Sequence, residues 1–157
     1  MAIEFVVEDG TGLTNSTRYA SVAQYKQYWL NRGVTATGTD DEIKGYLNLA
    51  TQYIDNSYNF KSSQKNISPR QALQWPRIDI YDQNCVVVSG IPVELVNATC
   101  ELASQAASGY ETVDTGIRSE SYGPVSVTYS GSSQKRFPKI EKMLRFYTAP
   151  RELDRVN

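Results

Sequence analysis

Residues 39–57 read TDDEIKGYLNLATQYIDNS, and this stretch decides the fold class. Thr39 followed three residues later by Glu42 is a capping box: the hydroxyl accepts the Glu42 N–H, and the carboxylate reaches back to the Thr39 N–H. Asp40 and Asp41 fall in the first turn, where the positive end of the helix dipole favours acids. Ile43, Tyr46, Leu47, Ala50 and Ile54 then recur at i, i+3, i+4, i+7 and i+11, which is one face of a helix. The spacing predicts a helix to about residue 57. The polar run from Asn59 to Ser68 then reads as a loop.

Three further segments carry the same period. Ser21 and Gln24 form a second capping box, Val22, Tyr25 and Trp29 share a face with Leu30 alongside, and Asn31-Arg32-Gly33 ends the helix. Ile91-Pro92 opens the next one, with proline in the first turn. Its apolar stripe is wide: Leu95, Thr99, Leu102 and Ala106, flanked by Val96, Cys100 and Ala103. Small side chains let a neighbour approach closely, so this is the expected centre of a bundle. Gly109 stops it. Phe137-Pro138 begins the last helix, with Ile140, Met143, Leu144 and Tyr147 on one face and Ala149-Pro150 at its end. Between the long helices, Ser68-Pro69 predicts a short helical turn through Gln71-Ala72-Leu73-Gln74. That turn delivers Leu73 and Trp75 to the core before Pro76 and Arg77 end it, and residues 78–90 read as irregular.

Two segments are β-like. Residues 3–8, IEFVVE, predict a short N-terminal strand or arm, free to pair with its own sheet or with a neighbour. Asp9-Gly10-Thr11-Gly12 then reads as a turn, because no helix and no Lys-Ser/Thr pair follow as a nucleotide cradle requires. Val125, Val127 and Tyr129 alternate with Ser126, Thr128 and Ser130, and residues 117–122 mirror them across Gly123-Pro124, which predicts a hairpin over 117–130. A hairpin alone is marginal in water, so it needs the helices, the N-terminal strand or another subunit. The expected fold is mainly α: a small bundle of about four helices with a β-hairpin and a short N-terminal strand or arm. The expected organisation is one domain over 1–150 and a polar C-terminal tail, 151–157, with no core of its own, of the kind that frays or is ordered by a partner.

Composition narrows the function classes. The 157 residues carry 16 Lys and Arg against 17 Asp and Glu, a net charge of −1. General attraction to nucleic acid usually leaves a basic excess, which is lacking here. There is no histidine, which removes the commonest general base and metal ligand. Cys85 and Cys100 lack metal-ligand spacing and read as two small buried hydrophobes. The start, MAIEFVVEDG, lacks a positive n-region, which argues against a secretory leader, and no apolar run is long enough for a membrane span. Lys61, Lys65 and the pair Lys135-Arg136 read as solvated loops rather than phosphate contacts. Asp40 and Asp41 are explained by the capping motif, and Asp79, Asp82 and Glu120 are scattered. The expectation is no enzyme, no catalytic residue, no cofactor and no metal. Eleven tyrosines stand against four phenylalanines and two tryptophans, and tyrosine suits half-wet subunit contacts.

The order of parts resembles the head–tail adaptor (connector) proteins of tailed bacteriophages, a group also labelled DnaT-like ssDNA-binding. The residues that carry the resemblance are Val7-Glu8-Asp9-Gly10-Thr11-Gly12, Tyr19-Ala20-Ser21-Val22, Ala50-Thr51-Gln52-Tyr53-Ile54-Asp55, and Gln71-Ala72-Leu73-Gln74-Trp75-Pro76-Arg77. Ile91-Pro92 with Ala98-Thr99-Cys100-Glu101-Leu102-Ala103, then Gly123-Pro124-Val125-Ser126-Val127-Thr128-Tyr129 and the helix from Phe137, complete the set. The polar tail after Pro150 departs from the pattern. The resemblance implies a structural virion protein made in the host cytoplasm. It implies a ring, commonly of twelve copies, docked under the portal and joining the head to a stopper, head-closure or tail-completion protein at the virion neck. Genomic DNA would pass through its lumen without specific binding. In this reading Trp75, Pro76 and Arg77 are a structural anchor that fixes the loop between the second and third long helices. The residues expected at subunit or portal contacts are Phe5, Val7, Tyr122, Val125, Val127, Tyr129, Arg151 and Leu153. The alternative is a single-stranded DNA-binding module, which needs a basic groove with exposed aromatic platforms.

Overall fold

The computed structural model describes residues 4–109, 117–122, 125–130 and 137–150, with the two middle stretches defined by their backbone pairing. Four helices form: α1 (Val22–Leu30), α2 (Asp40–Ser57), α3 (Val93–Ala107) and α4 (Pro138–Leu144). Between α2 and α3, the short strands β1 (Ser63–Gln64) and β2 (Arg77–Ile78) pair antiparallel; after α3, β3 (Ile117–Tyr122) pairs antiparallel with β4 (Val125–Ser130). The fold is the expected small, mainly helical domain with a hairpin.

Both capping boxes form. Glu42 N–H donates to Thr39 Oγ1 at 3.3 Å while Thr39 N–H donates to Glu42 Oε2 at 2.8 Å, and Ser21 and Gln24 do the same at the head of α1. Ile43, Leu47, Ala50 and Ile54 are fully buried, so the period of α2 is realised as core. Helix α3 touches each of the other three, and α2 most extensively. Its buried face, Leu95, Ala98, Thr99, Cys100, Leu102 and Ala103, matches the small-residue stripe. One acid sits in that face. Glu101 Oε1 accepts from the Tyr28 hydroxyl of α1 and from Lys139 Nζ of α4, each at 2.6 Å, so a single carboxylate joins three helices. Such a buried acid is tolerated because its charge is paired and hydrogen-bonded.

Several local expectations are corrected. Residues 68–74 form no helix. Ile67 and Arg70 make an isolated antiparallel bridge, and Gln71, 2% exposed, spends its amide on the loop backbone. Side chain-to-backbone bonds of this kind compete with a helical turn. Pro92 is the residue before α3 and Val93 its first helical position. Helix α4 ends at Leu144, because Thr148 bridges Phe60 and Ala149 N–H donates to Asn59 O at 2.7 Å, which draws this segment into extended pairing. The N-terminal segment makes a single parallel bridge, Val7 with Arg18, and is held on its own chain by Thr17 N–H to Val6 O (2.7 Å) and Glu8 N–H to Arg18 O (2.9 Å). Cys100 is buried as expected; Cys85 is exposed, at φ +60° in a surface turn.

In the hairpin, the pairs Arg118–Tyr129, Glu120–Val127 and Tyr122–Val125 alternate with Ile117–Ser130, Ser119–Thr128 and Ser121–Ser126. Directly opposed residues share a face. One face therefore carries Tyr122, Val125, Val127 and Tyr129, and the other is rich in serine and threonine. Among the described residues neither strand pairs with the N-terminal segment.

Candidate interaction surface

The loop between α2 and α3 is built around Trp75, which is fully buried. Its ring lies edge-on to Phe60, just past α2 (5.6 Å between centroids), and to Tyr147, just past α4 (5.5 Å). The ring therefore seals the junction of the segments that follow α2 and α4. The backbone N–H of Trp75 donates to the Tyr19 hydroxyl at 3.2 Å, and that hydroxyl donates to Asp55 Oδ1 at 2.6 Å. Gln74 N–H donates to Asp55 Oδ2 at 3.1 Å, so one carboxylate of α2 grips the loop at two points. Pro76 follows through a cis peptide bond. Arg77, 9% exposed, donates to the carbonyls of Phe60, Lys61, Ser62 and Gln74 at 2.6–3.3 Å. It holds carbonyls rather than a carboxylate.

Burial raises the Asp55 carboxyl to about 6, against the downward pull of the Tyr19 hydroxyl, the Gln74 N–H and the Arg77 charge. A raised acid contributes stability that is fully present below its unfolded value of 3.8 and is lost as pH rises through about 6. The chain is therefore expected to gain on the order of 3 kcal/mol from this group between neutral pH and about pH 4. Urea midpoints of the wild type and Asp55→Asn across that window check it: the wild type should gain on the variant as pH falls. Parallel pH profiles for the two would exclude this role.

A second buried acid organises the N-terminal segment. Glu8, 4% exposed, accepts from the N–H groups of Gly10 (3.1 Å), Gly12 (2.9 Å) and Leu13 (3.0 Å) and from the Ser16 hydroxyl (2.8 Å). Wrapping the backbone round its own carboxylate needs φ of +92° at Gly10 and +83° at Gly12, which glycine adopts without steric cost. The wrapped turn then meets the Trp75 loop. Asn66 Nδ2 donates to the carbonyls of Thr11 and Gly12, Lys65 Nζ to that of Gly10, and Ala72 N–H to that of Leu13. Two motifs joined by side-chain bonds that span 54 and 55 residues thus form one unit. Sequence reading took 9–12 as a turn and missed Glu8; an acid followed by two spaced glycines and a serine was the available signal. Lys61 is engaged as well, donating to Phe146 O, so neither lysine of this loop is a purely solvated charge.

What this framework presents outward is aliphatic. Ile78, Tyr81, Val86, Val87 and Val93 are exposed, Val86 at 59% and Val93 at 64%. The segment is nonetheless well held: Tyr81 bridges Val87, Val88 N–H donates to Ile80 O, and Asp82 Oδ1 accepts from the N–H groups of Asn84 and Val86. An ordered loop with several large aliphatic side chains in solvent has the character of a contact surface. No group of three or more potential metal ligands occurs among the described residues.

A third feature lies at the other end of α2. Lys44, Asn48, Thr51 and Asp55 recur at i, i+4, i+7 and i+11 and face the N-terminal segment: Thr51 Oγ1 accepts from Tyr19 N–H, and the Lys44 ammonium lies 5.1 Å from the Phe5 ring. The Arg18 guanidinium lies 5.1 Å from the same ring. Arg18 is 5% exposed and donates only from Nη2, to Phe5 O at 3.3 Å. Its Nε and Nη1, and Asn48 Oδ1 on the facing stripe, are buried without a hydrogen-bond partner among the described residues. Burial pulls the Arg18 guanidinium below its ordinary value.

The family described as "Putative DnaT-like ssDNA binding protein" matches residues 3–155. The chain belongs to this family. No curated protein and no solved structure matches it. In this DnaT-like chain the sequence-predicted contact residues fall into three groups. Phe5 and Val7 are half-buried and lie together beside Arg18. Tyr122, Val125, Val127 and Tyr129 share one face of the hairpin by register. Arg151 and Leu153 lie outside the described residues, as do Lys135 and Arg136. Arg18 was not among the expected contact residues.

Proposed function

We propose that this chain is a non-catalytic structural part, the head–tail adaptor of a tailed bacteriophage, working as one wedge of a ring at the virion neck. The observation that carries the reading is the ordered aliphatic strip from Ile78 to Val93, held out by Arg77 and Asp82 where a second protein can cover it. The partners in this reading are further copies of the chain, twelve in the ring, the portal above, and a stopper, head-closure or tail-completion protein below. Genomic DNA passes through the lumen, and a net charge of −1 suits a wall along which DNA slides without sticking. Closure by rotational symmetry repeats one modest contact many times, so shape and fit supply the mechanism and no bond is made or broken.

Imaging of particles that carry a tagged copy tests the proposal. Label on the neck axis is the expected result; label elsewhere, or particles free of the chain, would overturn it. The double substitution Val86→Asp and Val87→Asp is expected to abolish incorporation while leaving the melting temperature of the isolated chain unchanged, because both side chains are already in solvent.

The family description favours a second reading, a single-stranded DNA-binding module. Against it, the aromatic rings of Tyr19, Tyr25, Tyr28, Phe60, Trp75 and Tyr147 are buried, and Tyr81 is the one aromatic among the large exposed hydrophobics of the described residues. Titration of a labelled oligonucleotide at low and at physiological salt separates the two. Salt-sensitive binding at micromolar concentration favours the second reading, and no binding favours the adaptor.

A further inference from the structure

We infer that the strip around Tyr81, Val86 and Val87 is covered by the turn that closes α1, Leu30 to Val34, of a second copy of this chain, so that neighbouring copies join head to tail. This rests on the assembly reading above and deepens it by naming which two surfaces meet.

Apart from Ile67, the exposed large hydrophobics of the described residues fall into two groups. One is the strip. The other is Leu30, 60% exposed, and Val34, 48% exposed, at the end of α1. That turn is as well held as the strip: Gly33 N–H donates to Leu30 O at 2.9 Å and Val34 N–H to Trp29 O at 3.0 Å. Both groups are exposed in the single folded chain, so neither covers the other. They are tied to opposite ends of α2. Lys26 of α1 bonds Asp40 in the first turn of α2, at 2.6 Å. The segment that opens the strip is fastened through Arg77 to the carbonyls of Phe60, Lys61 and Ser62, just past the last turn of α2. The 18 residues of that helix rise about 27 Å. Two unlike surfaces set apart on one chain are what a heterologous contact needs.

Charge selects this pairing. Residues 78–94 hold Asp79, Asp82 and Glu94 and no lysine or arginine, whereas residues 26–34 hold Lys26 and Arg32 and no acid. None of those acids, and not Arg32, takes part in an ion pair among the described residues. Arg32 is also fixed in place: its guanidinium lies 3.5 Å from the Tyr28 ring and donates to Tyr28 O at 2.9 Å. A contact of strip with strip would set acid against acid, and a contact of turn with turn would set Arg32 against Arg32. Like charges across an interface are costly, and the mixed contact joins opposite signs. The acids of the strip likewise disfavour a nucleic-acid strand as its cover.

Cys85 lies within the strip and is exposed, while Cys100 is buried, which gives a direct test. Leu30→Cys and Val34→Cys, each in the full chain at up to millimolar concentration, are oxidised with copper phenanthroline and separated on a non-reducing gel. A disulfide forms only where two cysteines approach closely. A ladder of dimers, trimers and longer species is expected from at least one variant, because each chain then carries both halves of the contact; the same variants with Cys85→Ser should stop at the dimer. No ladder from either variant overturns the contact. So does a wild type that forms Cys85–Cys85 dimers as efficiently, since the strip would then pair with itself. In sedimentation velocity, Leu30→Asp/Val34→Asp should weaken self-association about tenfold, as Val86→Asp/Val87→Asp does, with the melting temperature of the dilute chain unchanged. Joining Val86→Asp/Val87→Asp to Leu30→Lys/Val34→Lys in one chain should recover part of the loss, because opposite charges then meet. Normal association of the α1-turn variants would overturn the proposal. A chain that stays monomeric at every concentration would assign the strip to a different protein and overturn this contact, yet leave the adaptor reading standing if tagged particles show label at the neck. A ladder from a chain whose label lies off the neck would keep the contact and remove the adaptor reading.

Discussion

Trp75→Ala is expected to cost about 3–5 kcal/mol, the range for emptying a buried aromatic site. The ring is fully buried and is touched edge-on by Phe60 and Tyr147, which belong to segments that follow different helices. Its loss leaves a cavity that neither neighbour can fill without breaking the pairing of Phe60 with Thr148. For a domain whose total stability is of order 5–15 kcal/mol this is a large fraction, and about 10 °C of melting temperature should go with it. Trp75→Phe is expected to be much milder. The indole Nε1 is buried without a hydrogen-bond partner in the described residues, so a phenyl ring loses area but forfeits no bond. Urea denaturation followed by circular dichroism checks both: the midpoint should move at constant slope. An alanine variant within about 1 kcal/mol of the wild type would mean that the α2–α4 junction does not depend on this ring.

Glu8→Ala should be comparably severe, for a different reason. Removing the carboxylate leaves the N–H groups of Gly10, Gly12 and Leu13 without that acceptor and the Ser16 hydroxyl with only the long contact to Leu13 O at 3.4 Å. Each buried donor left unmade costs about 1–3 kcal/mol, and water admitted to the gap recovers part, so a net loss of about 3–5 kcal/mol is expected. Glu8→Gln keeps the shape but turns an amide NH2 toward donors, and should recover about half of that loss. The effect should spread to the Trp75 loop, because Leu13 O accepts from Ala72 N–H and Asn66 holds Thr11 and Gly12. Hydrogen exchange at Ala72 and Asn66 reads this directly. Protection there that is unchanged in Glu8→Ala would show that the two motifs are not coupled through this acid.

Both residues sit in motifs that are visible in the chain, yet their roles were not equally legible. Helix α2 was readable because its signals are local: a capping box, acids in the first turn and an apolar period that needs no partner to be recognised. The small-residue face of α3 likewise announced a central helix, and it packs on all three others. The hairpin was legible from a change of period, and its register then assigns Tyr122, Val125, Val127 and Tyr129 to one face. The failures share a cause. Residues 68–74 look helical in isolation, but Gln71 is buried and bonded to the surrounding loop backbone, so tertiary contacts outweigh a weak local preference. Cys85 looked like a core residue by type, and position in a turn put it outside.

By itself, then, the order of residues determined what depends on neighbours along the chain: which segments coil, where each coil starts, and which stripe of each is apolar. Only the folded arrangement decided which distant groups share a site. Glu8 could be matched with the Trp75 loop, and Arg77 with four carbonyls, only once the chain had closed on itself. Hydrogen bonds and charges act over a few ångströms of space and are blind to separation along the backbone, so a linear reading carries no signal for them.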